Sequence, residues 1–475
     1  MKWFCPVLAL ALSSSFATAA ALDLHGLKPE EVALWAAPVE GGPELASLRA
    51  SVPVNPASTM KLLTSWSALN RLGPGYRWTT RLVSAAPVQD GVLKGDLVWV
   101  GAGDPRFGMA NLQSLLHALR LRGIRQIDGR LLLDKSAFSS IGTADNFGGD
   151  EGKSFTVEPD THLTGLKVAW LRFFNDSNGT RVVLDPPLAG VSLQARLSNG
   201  GDTAGTCPDV RQWVHIREQG SQIEVSGKLP AACDGSQAYV NVLDHNDFAA
   251  QSFAALWQEL GGTGPQGMAL GRAPANARTL AQYQSEPLTM ALNDINKYSN
   301  NTMARTVYLT LGREAAKSGD TPADAQAAIR SLLAEQHIAD EALVLENGCG
   351  LSRRERVSAR LLGQVLLNAA RGPYGNELMA SLPLASEDGT LKRRFASIGP
   401  RLRMKTGTLK DVKALAGYWQ AADGRRLAIV AIVNSPRAPA MASALDAVVA
   451  DLIHRFDRTV ADGSATAPAD AIMQP

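Results

Sequence analysis

The chain has 475 residues, of which 45% are hydrophobic and 19% charged. A chain of this length exceeds what one hydrophobic core usually supports, so we expect more than one domain. Because 47 Lys and Arg balance 45 Asp and Glu, and basic clusters are short, the composition argues against a nucleic-acid-binding protein.

The first 20 residues have the pattern of a secretory signal peptide. Lys2 precedes an apolar run that reaches Leu12, and a small-residue segment follows and ends near Ala19. This run is too short to span a bilayer, and no later segment reaches about 18 consecutive apolar residues. The pattern therefore predicts an exported protein without a transmembrane anchor.

A buried helix is predicted from Ala57 to Leu72, because apolar residues recur at helical spacing and a Gly-Pro pair ends the pattern. Ser58 lies at the start of this helix, where free backbone N–H groups and the helix dipole favour negative charge. Lys61 follows three residues later on the same helical face. An uncharged amine there can accept the serine proton, so the pair is a candidate nucleophile and base. Considered alone, the motif also fits a lysine that only covers a helix face.

Residues 79–164 alternate short strands, near 97–100 and 129–133, with a helix near 112–122. Two glycines in the segment 101–105 are reminiscent of a nucleotide-binding loop. The later glycine of that motif is missing and the segment runs directly into Asp-Pro, so a turn is favoured.

Residues 165–243 contain short alternating strands separated by turn residues, which predicts a small all-β module. Cys207 and Cys233 lie within it, and export makes a disulfide between them chemically possible. Such a bridge would close a mid-sized loop and contribute about 3 kcal/mol. Cys349 is expected to be a small buried residue in a turn, since no His lies near it in sequence to activate a thiol. The seven His residues have no ligand-like spacing, so no metal site is expected.

Ser299 and Asn301 fall between two predicted helices, the second of which is expected near residues 303–311. They therefore fit a turn in which the serine hydroxyl could relay a proton. A helix-capping serine is the alternative at this position.

Lys405 is predicted to lie in a strand that leads into a hairpin near residue 410. Strands at 414–421 and 426–434 and an amphipathic helix at 441–456 follow, which predicts an antiparallel sheet backed by helices. An exposed lysine in an ordinary hairpin is the alternative for Lys405. The tail from residue 461 is small and polar and is expected to be flexible.

Three motifs in this order carry the chemistry: Ser58-Thr59-Met60-Lys61, Ser299-Asn300-Asn301 and Lys405-Thr406-Gly407. Each of the three patterns, Ser-x-x-Lys, Ser-x-Asn and Lys-Thr-Gly, occurs once in the chain. The trio resembles the signature of the penicillin-recognising serine enzymes, which are the penicillin-binding proteins and serine β-lactamases. The long insertion between the first two motifs resembles the class C low-molecular-mass group, the penicillin-binding protein 4 type. Further points of resemblance are Gly103-Asp104-Pro105, the pair Cys207 and Cys233, and residues 346–352, in which Cys349 stands where the family usually has serine.

The resemblance implies an α+β fold. A β-lactamase/transpeptidase-like domain, with an antiparallel five-stranded sheet flanked by helices, carries two nested inserted domains, the innermost mainly β. The expected division is a signal peptide (1–20), a catalytic domain (21–78 and 278–460), inserted domain II (79–164 and 246–277), inserted domain III (165–245) and a flexible tail (461–475).

The resemblance also implies roles for the motif residues. These are nucleophile for Ser58, base for Lys61, proton shuttle for Ser299, positioning for Asn301, a positive charge for the substrate carboxylate at Lys405, and substrate binding for Thr406, Gly407 and Thr408. In the family the backbone N–H groups of Ser58 and Thr408 form the oxyanion hole. Burial and the charge of Lys405 are both expected to lower the pKa of Lys61.

The implied function is a periplasmic serine-type D-Ala-D-Ala carboxypeptidase that acts on peptidoglycan stem peptides through an acyl-enzyme and is covalently inhibited by β-lactams. A second implied activity is a D-alanyl-diaminopimelate endopeptidase. Asp150 is the candidate for the acid that binds the diaminopimelate amino group, although the local sequence does not align cleanly with the family pattern. No cofactor is expected, and the sequence does not indicate an oligomeric state. A serine β-lactamase and a noncatalytic penicillin-binding cell-wall sensor are the alternatives.

Overall fold

The computed structural model describes residues 22–142, 154–177, 179–201 and 205–464. The expected signal peptide and Asp150 lie outside these ranges. No helix within the described ranges is both long enough and apolar enough to cross a membrane.

Helices are found throughout the chain. They are α1 (Met60–Leu72), α2 (Met109–Leu121), α3 (His245–Glu259), α4 (Leu288–Lys297), α5 (Asn301–Ala315), α6 (Thr321–Glu335), α7 (Ala359–Arg371), α8 (Gly375–Ser381) and α9 (Ala442–Ser464). The last helix is longer than predicted, because residues 461–464 of the expected tail continue it.

The strands fall into several sheets. They are β1 (Val32–Pro38), β2 (Ala46–Leu48), β3 (Thr79–Ser84), β4 (Val88–Gln89), β5 (Val92–Leu93), β6 (Leu97–Val100), β7 (Gln126–Ile127), β8 (Leu131–Asp134), β9 (Ala169–Asp176), β10 (Gly179–Asp185), β11 (Ser192–Asn199), β12 (Val214–Gln219), β13 (Gln222–Leu229), β14 (Gln237–Val240), β15 (Met268–Leu270), β16 (Arg278–Gln284), β17 (Leu402–Leu409), β18 (Val412–Gln420) and β19 (Arg426–Asn434).

The central sheet is antiparallel and has the order β17-β18-β19-β1-β2. Its inner strands are apolar along most of their length because helices cover both faces. In β19, Val430 and Ile432 belong to the cluster formed with α1, α5 and α7, whereas Ile429 and Ala431 belong to the cluster formed with α9. The predicted five-stranded sheet flanked by helices is therefore confirmed, and β17 forms one of its edges.

Helix α1 lies in the middle of the first of these clusters. Every residue from Met60 to Leu69 is buried, and Trp66 contributes the largest side chain. A short 3-10 turn, Ala57–Thr59, precedes the helix, so the predicted buried helix is confirmed with its first turn wound more tightly. The serine at position 58 is thereby fixed to the most buried helix of the domain.

Two further hydrophobic clusters form from the residues between α1 and α4. One packs α2 and α3 against the sheet β15-β8-β6-β3-β16. The other joins the sheets β10-β9-β14 and β11-β13-β12 and includes the buried Cys233. The predicted disulfide between Cys207 and Cys233 is present.

Residues 101–104 lie in neither a helix nor a strand, and the predicted turn is found at residues 105 and 106. The Arg106 side chain connects the cluster of α2 and α3 to the helices around the central sheet. The Arg106 guanidinium lies 3.0 Å from the Glu286 carboxylate and also pairs with Asp294 on α4. Arg313 on α5 donates to the carbonyl oxygen of Ala102 at 2.5 Å. These contacts fix the inserted segment against α4 and α5.

Candidate active site

Three distant segments meet in one cleft: the start of α1, the turn between α4 and α5, and the edge strand β17. Lys61 of the first segment lies within hydrogen-bonding distance of Asn301 of the second, 240 positions away in sequence. Lys405 of the third segment reaches Ser299 of the second. The structure therefore brings together the three motifs that the sequence singled out.

The Lys61 amine is fully buried and has three polar neighbours. Its Nζ lies 2.9 Å from Ser58 Oγ, 2.7 Å from Asn301 Oδ1 and 2.5 Å from the carbonyl oxygen of Cys349. A neutral amine has two N–H donors and one lone pair. Since Asn301 Oδ1 and the Cys349 carbonyl can only accept, they take the two N–H groups and leave the lone pair for the Ser58 hydroxyl proton. The arrangement therefore allows the Lys61 amine to accept the proton of the Ser58 hydroxyl.

Burial lowers the pKa of Lys61 to about 8, against the opposing influence of Cys349 and Glu355. The charge of Lys405 was expected to lower the pKa of Lys61 as well, and no such effect is found. Instead, burial and the neighbouring Lys61 lower the pKa of Lys405 well below its usual range.

Ser299 lies between α4 and α5 with a φ of +58°, in the left-handed region. The cap of α5 is Asn300, whose Oδ1 accepts from the N–H of Met303 at 3.0 Å. The helix-capping alternative for Ser299 is therefore wrong, and its hydroxyl is instead 2.9 Å from Lys405 Nζ.

Asn301 has both ends of its side-chain amide engaged. While Oδ1 accepts from Lys61, Nδ2 donates to the carbonyl oxygen of Phe155 at 3.1 Å. The next residue, Thr302, donates its hydroxyl to the carbonyl oxygen of Val157 at 2.7 Å. The inserted segment thus holds the amide that orients Lys61.

Strand β17 carries Lys405, Thr406 and Gly407 along the outer edge of the sheet, as predicted. Lys405 is fully buried and also donates to the carbonyl oxygen of Thr406 at 2.7 Å, so the exposed-lysine alternative is wrong. A Cβ at Gly407 would lie 2.9 Å from the carbonyl oxygen of Pro56 and 3.1 Å from Ala57 Cβ. Glycine is therefore required for β17 to approach the turn that holds Ser58.

Two hydroxyls point along this edge. Thr406 Oγ1 donates to Thr390 Oγ1 at 2.8 Å, and Thr408 is exposed, with Lys413 Nζ 3.4 Å from its hydroxyl. Sequence reasoning missed Thr390 and Lys413. Thr390 comes from a separate 3-10 turn, Gly389–Leu391, and only the fold brings it to β17.

The turn that contains Ser58, Ala57–Thr59, is held in place by residues that carried no sequence signal. Ala57 has a φ of +45°, a conformation that costs energy for a non-glycine residue. Asn55 supports it by accepting from the Ala57 N–H at 2.9 Å and by donating to the carbonyl oxygen of Ser352 at 2.8 Å. Asn434 on β19 accepts from the Asn55 N–H at 2.8 Å.

Cys349 is free and buried, as predicted. Its backbone carbonyl, and not its thiol, contacts Lys61, and burial raises the pKa of the thiol. Gly350 follows with a φ of +82°, and a Cβ there would lie only 1.8 Å from the carbonyl oxygen of Ala57. The backbone of the loop around Gly350 therefore lies in direct contact with the turn that contains Ser58.

Comparisons with known proteins show the family and the fold of the chain. Residues 17–452 match the model of the D-Ala-D-Ala carboxypeptidase 3 (S13) family. The chain is 29% identical over 445 residues to the D-alanyl-D-alanine carboxypeptidase of Actinomadura sp. (strain R39), covering 89% of this chain and 81% of that protein. It is 28% identical over 386 residues to D-alanyl-D-alanine carboxypeptidase DacB of Haemophilus influenzae, covering 80% of each. The crystal structure of penicillin binding protein 4 from Haemophilus influenzae superposes with a TM-score of 0.72 at 23% identity, covering 89% of this chain and 96% of that one, which shows a common fold.

Proposed function

The chain belongs to the D-Ala-D-Ala carboxypeptidase 3 (S13) family and is a serine-type D-Ala-D-Ala carboxypeptidase; we propose that Ser58 is its nucleophile and Lys61 the base of acylation. The observation that carries this assignment is the buried Lys61 amine, whose two obligate acceptors leave its lone pair for the Ser58 hydroxyl. General-base assistance of this kind contributes roughly 10²- to 10⁴-fold to a rate.

In acylation, Ser58 Oγ attacks the carbonyl carbon of the penultimate D-Ala as Lys61 takes the hydroxyl proton. The new O–C bond forms, the peptide C–N bond breaks, and the departing D-Ala amine gains one proton. Lys61, Ser299 and Lys405 are the proposed carriers of that proton, since the Ser299 hydroxyl is hydrogen-bonded to an amine with a lowered pKa. Water then cleaves the ester and restores the Ser58 hydroxyl.

The substrate is proposed to bind along the free edge of β17 as an added antiparallel strand. Residues 383–385 hydrogen-bond to Leu402 and Met404 at the start of this edge, and no strand pairs with the rest of it, from Lys405 onward, in the described part of the chain. The backbone N–H groups of Ser58 and Thr408 would hold the oxyanion. The hydroxyls of Thr406 and Thr408, with the cationic Lys413 beside Thr408, suit the terminal carboxylate.

The assignment is tested by covalent labelling with fluorescent penicillin and by the release of D-Ala from a pentapeptide. Ser58→Ala is expected to abolish both. Ser67→Ala is the matched control, because Ser67 is buried on the same helix and its hydroxyl has no partner among the described residues. Undiminished labelling of the Ser58→Ala variant would refute the assignment. An acyl-enzyme that persists for minutes favours the peptidase over a serine β-lactamase, and D-Ala release excludes a noncatalytic sensor.

A second proposed activity is hydrolysis of D-alanyl-diaminopimelate cross-links. It is supported by the inserted segment, in which the carbonyl groups of Phe155 and Val157 hydrogen-bond to the start of α5. Asp150 precedes this segment closely in sequence and is the proposed acid for the diaminopimelate amino group. Digestion of purified sacculi tests this, since Asp150→Asn is expected to slow cross-link cleavage more than D-Ala release from a pentapeptide. Equal effects on both substrates would contradict the assignment.

We also propose the nested domain division and export of the protein to the periplasm. The separate hydrophobic clusters support the division, and the pairing of β16 with β3 favours moving the end of inserted domain II from residue 277 to residue 284. Limited proteolysis followed by mass spectrometry tests these boundaries. Fractionation with N-terminal sequencing of the mature protein tests export and cleavage near Ala20.

A further inference from the structure

A fully buried carboxyl group, that of Glu355, lies behind the loop that contacts Lys61. One of its oxygens, Oε1, accepts three backbone N–H groups, from Glu346 at 3.1 Å, Asn347 at 2.9 Å and Gly348 at 3.0 Å. The other oxygen, Oε2, has no hydrogen-bond partner in the described ranges. Three donors converging on one buried oxygen fix the path of the backbone at this point.

The backbone fixed in this way supplies the Cys349 carbonyl to Lys61. Thr64 on α1 donates its hydroxyl to the carbonyl oxygen of Gly348 at 2.6 Å. Asn347 Oδ1 accepts from the Cys349 N–H at 3.0 Å. Together with Glu355, these bonds orient the peptide group whose oxygen is 2.5 Å from Lys61 Nζ. The Cys349 carbonyl is one of the two acceptors that direct the lone pair of Lys61 toward Ser58.

We propose that Glu355 is a positioning residue for acylation, which holds the loop of residues 346–351 so that the Cys349 carbonyl orients Lys61, and which acts on the protonation of Lys61 through its negative charge. This inference rests on the proposed role of Lys61 as the base.

The charge of Glu355 is expected from its contacts. Burial raises the pKa of Glu355 above its usual value, and the N–H groups of Asn347 and Gly348 and the charge of Lys61 offset only part of that rise. Three N–H donors on one oxygen are the environment of a carboxylate rather than of a neutral acid. That anion in turn raises the pKa of Lys61. Glu355 thus limits how far burial alone would depress the basicity of Lys61.

Other titratable groups lie near Lys61 and Glu355. Cys349 interacts electrostatically with Lys61, Glu355 and Arg305, and Tyr308 on α5 interacts with Glu355. Burial raises the pKa of both the thiol and the phenol.

The test compares Glu355→Gln and Glu355→Ala in the full chain, with the second-order rate of acylation by fluorescent penicillin measured against pH. The Gln variant retains an oxygen acceptor for the three N–H groups and loses the charge. Its plateau rate is expected within a few-fold of the parent, with the acid limb of the profile moved to lower pH by roughly one unit. The Ala variant loses the acceptor, and its plateau rate is expected to fall by at least about tenfold, as misplacement of a base predicts.

Asp324→Asn is the matched control. The Asp324 carboxylate on α6 also anchors a loop, accepting from the N–H groups of Lys317 at 2.9 Å and Ser318 at 2.8 Å, and it is likewise buried. Loss of this anchor is expected to lower the melting temperature and to leave the pH profile unchanged. An acid limb that stays in place in Glu355→Gln, or a parent-like plateau in Glu355→Ala, overturns the proposal. If Ser58→Ala abolishes labelling while the Glu355 variants match the parent, only the role of Glu355 fails and the proposed nucleophile stands.

Discussion

Replacement of Gly350 by alanine tests whether the loop of residues 346–351 must lie in contact with the turn that holds Ser58. A Cβ at this position would lie 1.8 Å from the carbonyl oxygen and 2.3 Å from the carbonyl carbon of Ala57, and 2.8 Å from the Ser58 nitrogen. The two backbones would have to separate by roughly 1.5 Å or more to reach ordinary van der Waals distance. The φ of +82° adds a second penalty, because a residue with a Cβ is disfavoured there by about 1–2 kcal/mol.

The clash and the backbone penalty act together in Gly350→Ala. Forcing a methyl group into packed backbone costs about 1–3 kcal/mol, so a total loss of about 2–5 kcal/mol in the free energy of unfolding is expected. A displacement of about 1 Å at a catalytic group can reduce a rate on the order of 100-fold. We therefore expect slower acylation by fluorescent penicillin in the folded variant, in addition to a lower melting temperature.

Gly424→Ala separates the two effects. Gly424 has a similar φ of +91°, and nothing lies within 4 Å of the position of its Cβ, so only the backbone penalty applies. Circular dichroism melts and labelling rates of both variants provide the comparison. The reasoning is refuted if Gly350→Ala has the same melting temperature as Gly424→Ala and is acylated at the rate of the parent protein.

Three further predictions concern the site and the inserted domain. Because Lys61 must be neutral to accept a proton and its pKa is about 8, the acylation rate is expected to rise about tenfold per pH unit below pH 8 and to level off above it; a rate that does not vary with pH would contradict the role of Lys61. Asn301→Ala is expected to slow acylation by roughly 100-fold through loss of the Lys61 contact, whereas Asn300→Ala removes only a helix cap worth about 1 kcal/mol, so equal labelling rates would count against Asn301. Replacing Cys207 and Cys233 by serine is expected to cost about 3 kcal/mol in the stability of the β-rich module with labelling unchanged, as differential scanning calorimetry and labelling can establish.

Elements with a strong local pattern were predicted well. The C-terminal hairpin was expected at 414–421 and 426–434, and it spans Val412–Gln420 and Arg426–Asn434. The buried helix that follows Ser58 was expected to end at Leu72 and does so. These segments are long and apolar, so their hydrophobic periodicity identifies them without knowledge of their tertiary contacts.

Predictions that depended on the interaction between segments were less complete. The pKa of Lys61 was expected to fall partly because of Lys405, yet the repulsion acts on Lys405. Glu355 lies in the charged run of residues 353–356, which gives no sign of burial, yet its side chain is fully buried. Charge patterns in sequence do not reveal which side chains a fold removes from water.

The sequence by itself determined the parts of this protein that depend on local spacing. A hydroxyl and an amine three residues apart at the start of a helix lie on the same face because of the helical pitch. Tertiary structure alone decided which groups complete the site: the carbonyl of Cys349, the carboxylate of Glu355 and the amide of Asn55. Two reasons account for this division. Nearly every residue carries the same backbone N–H and C=O groups, so a carbonyl that contacts Lys61 has no sequence signature. The partners of these three residues also lie on other parts of the folded chain.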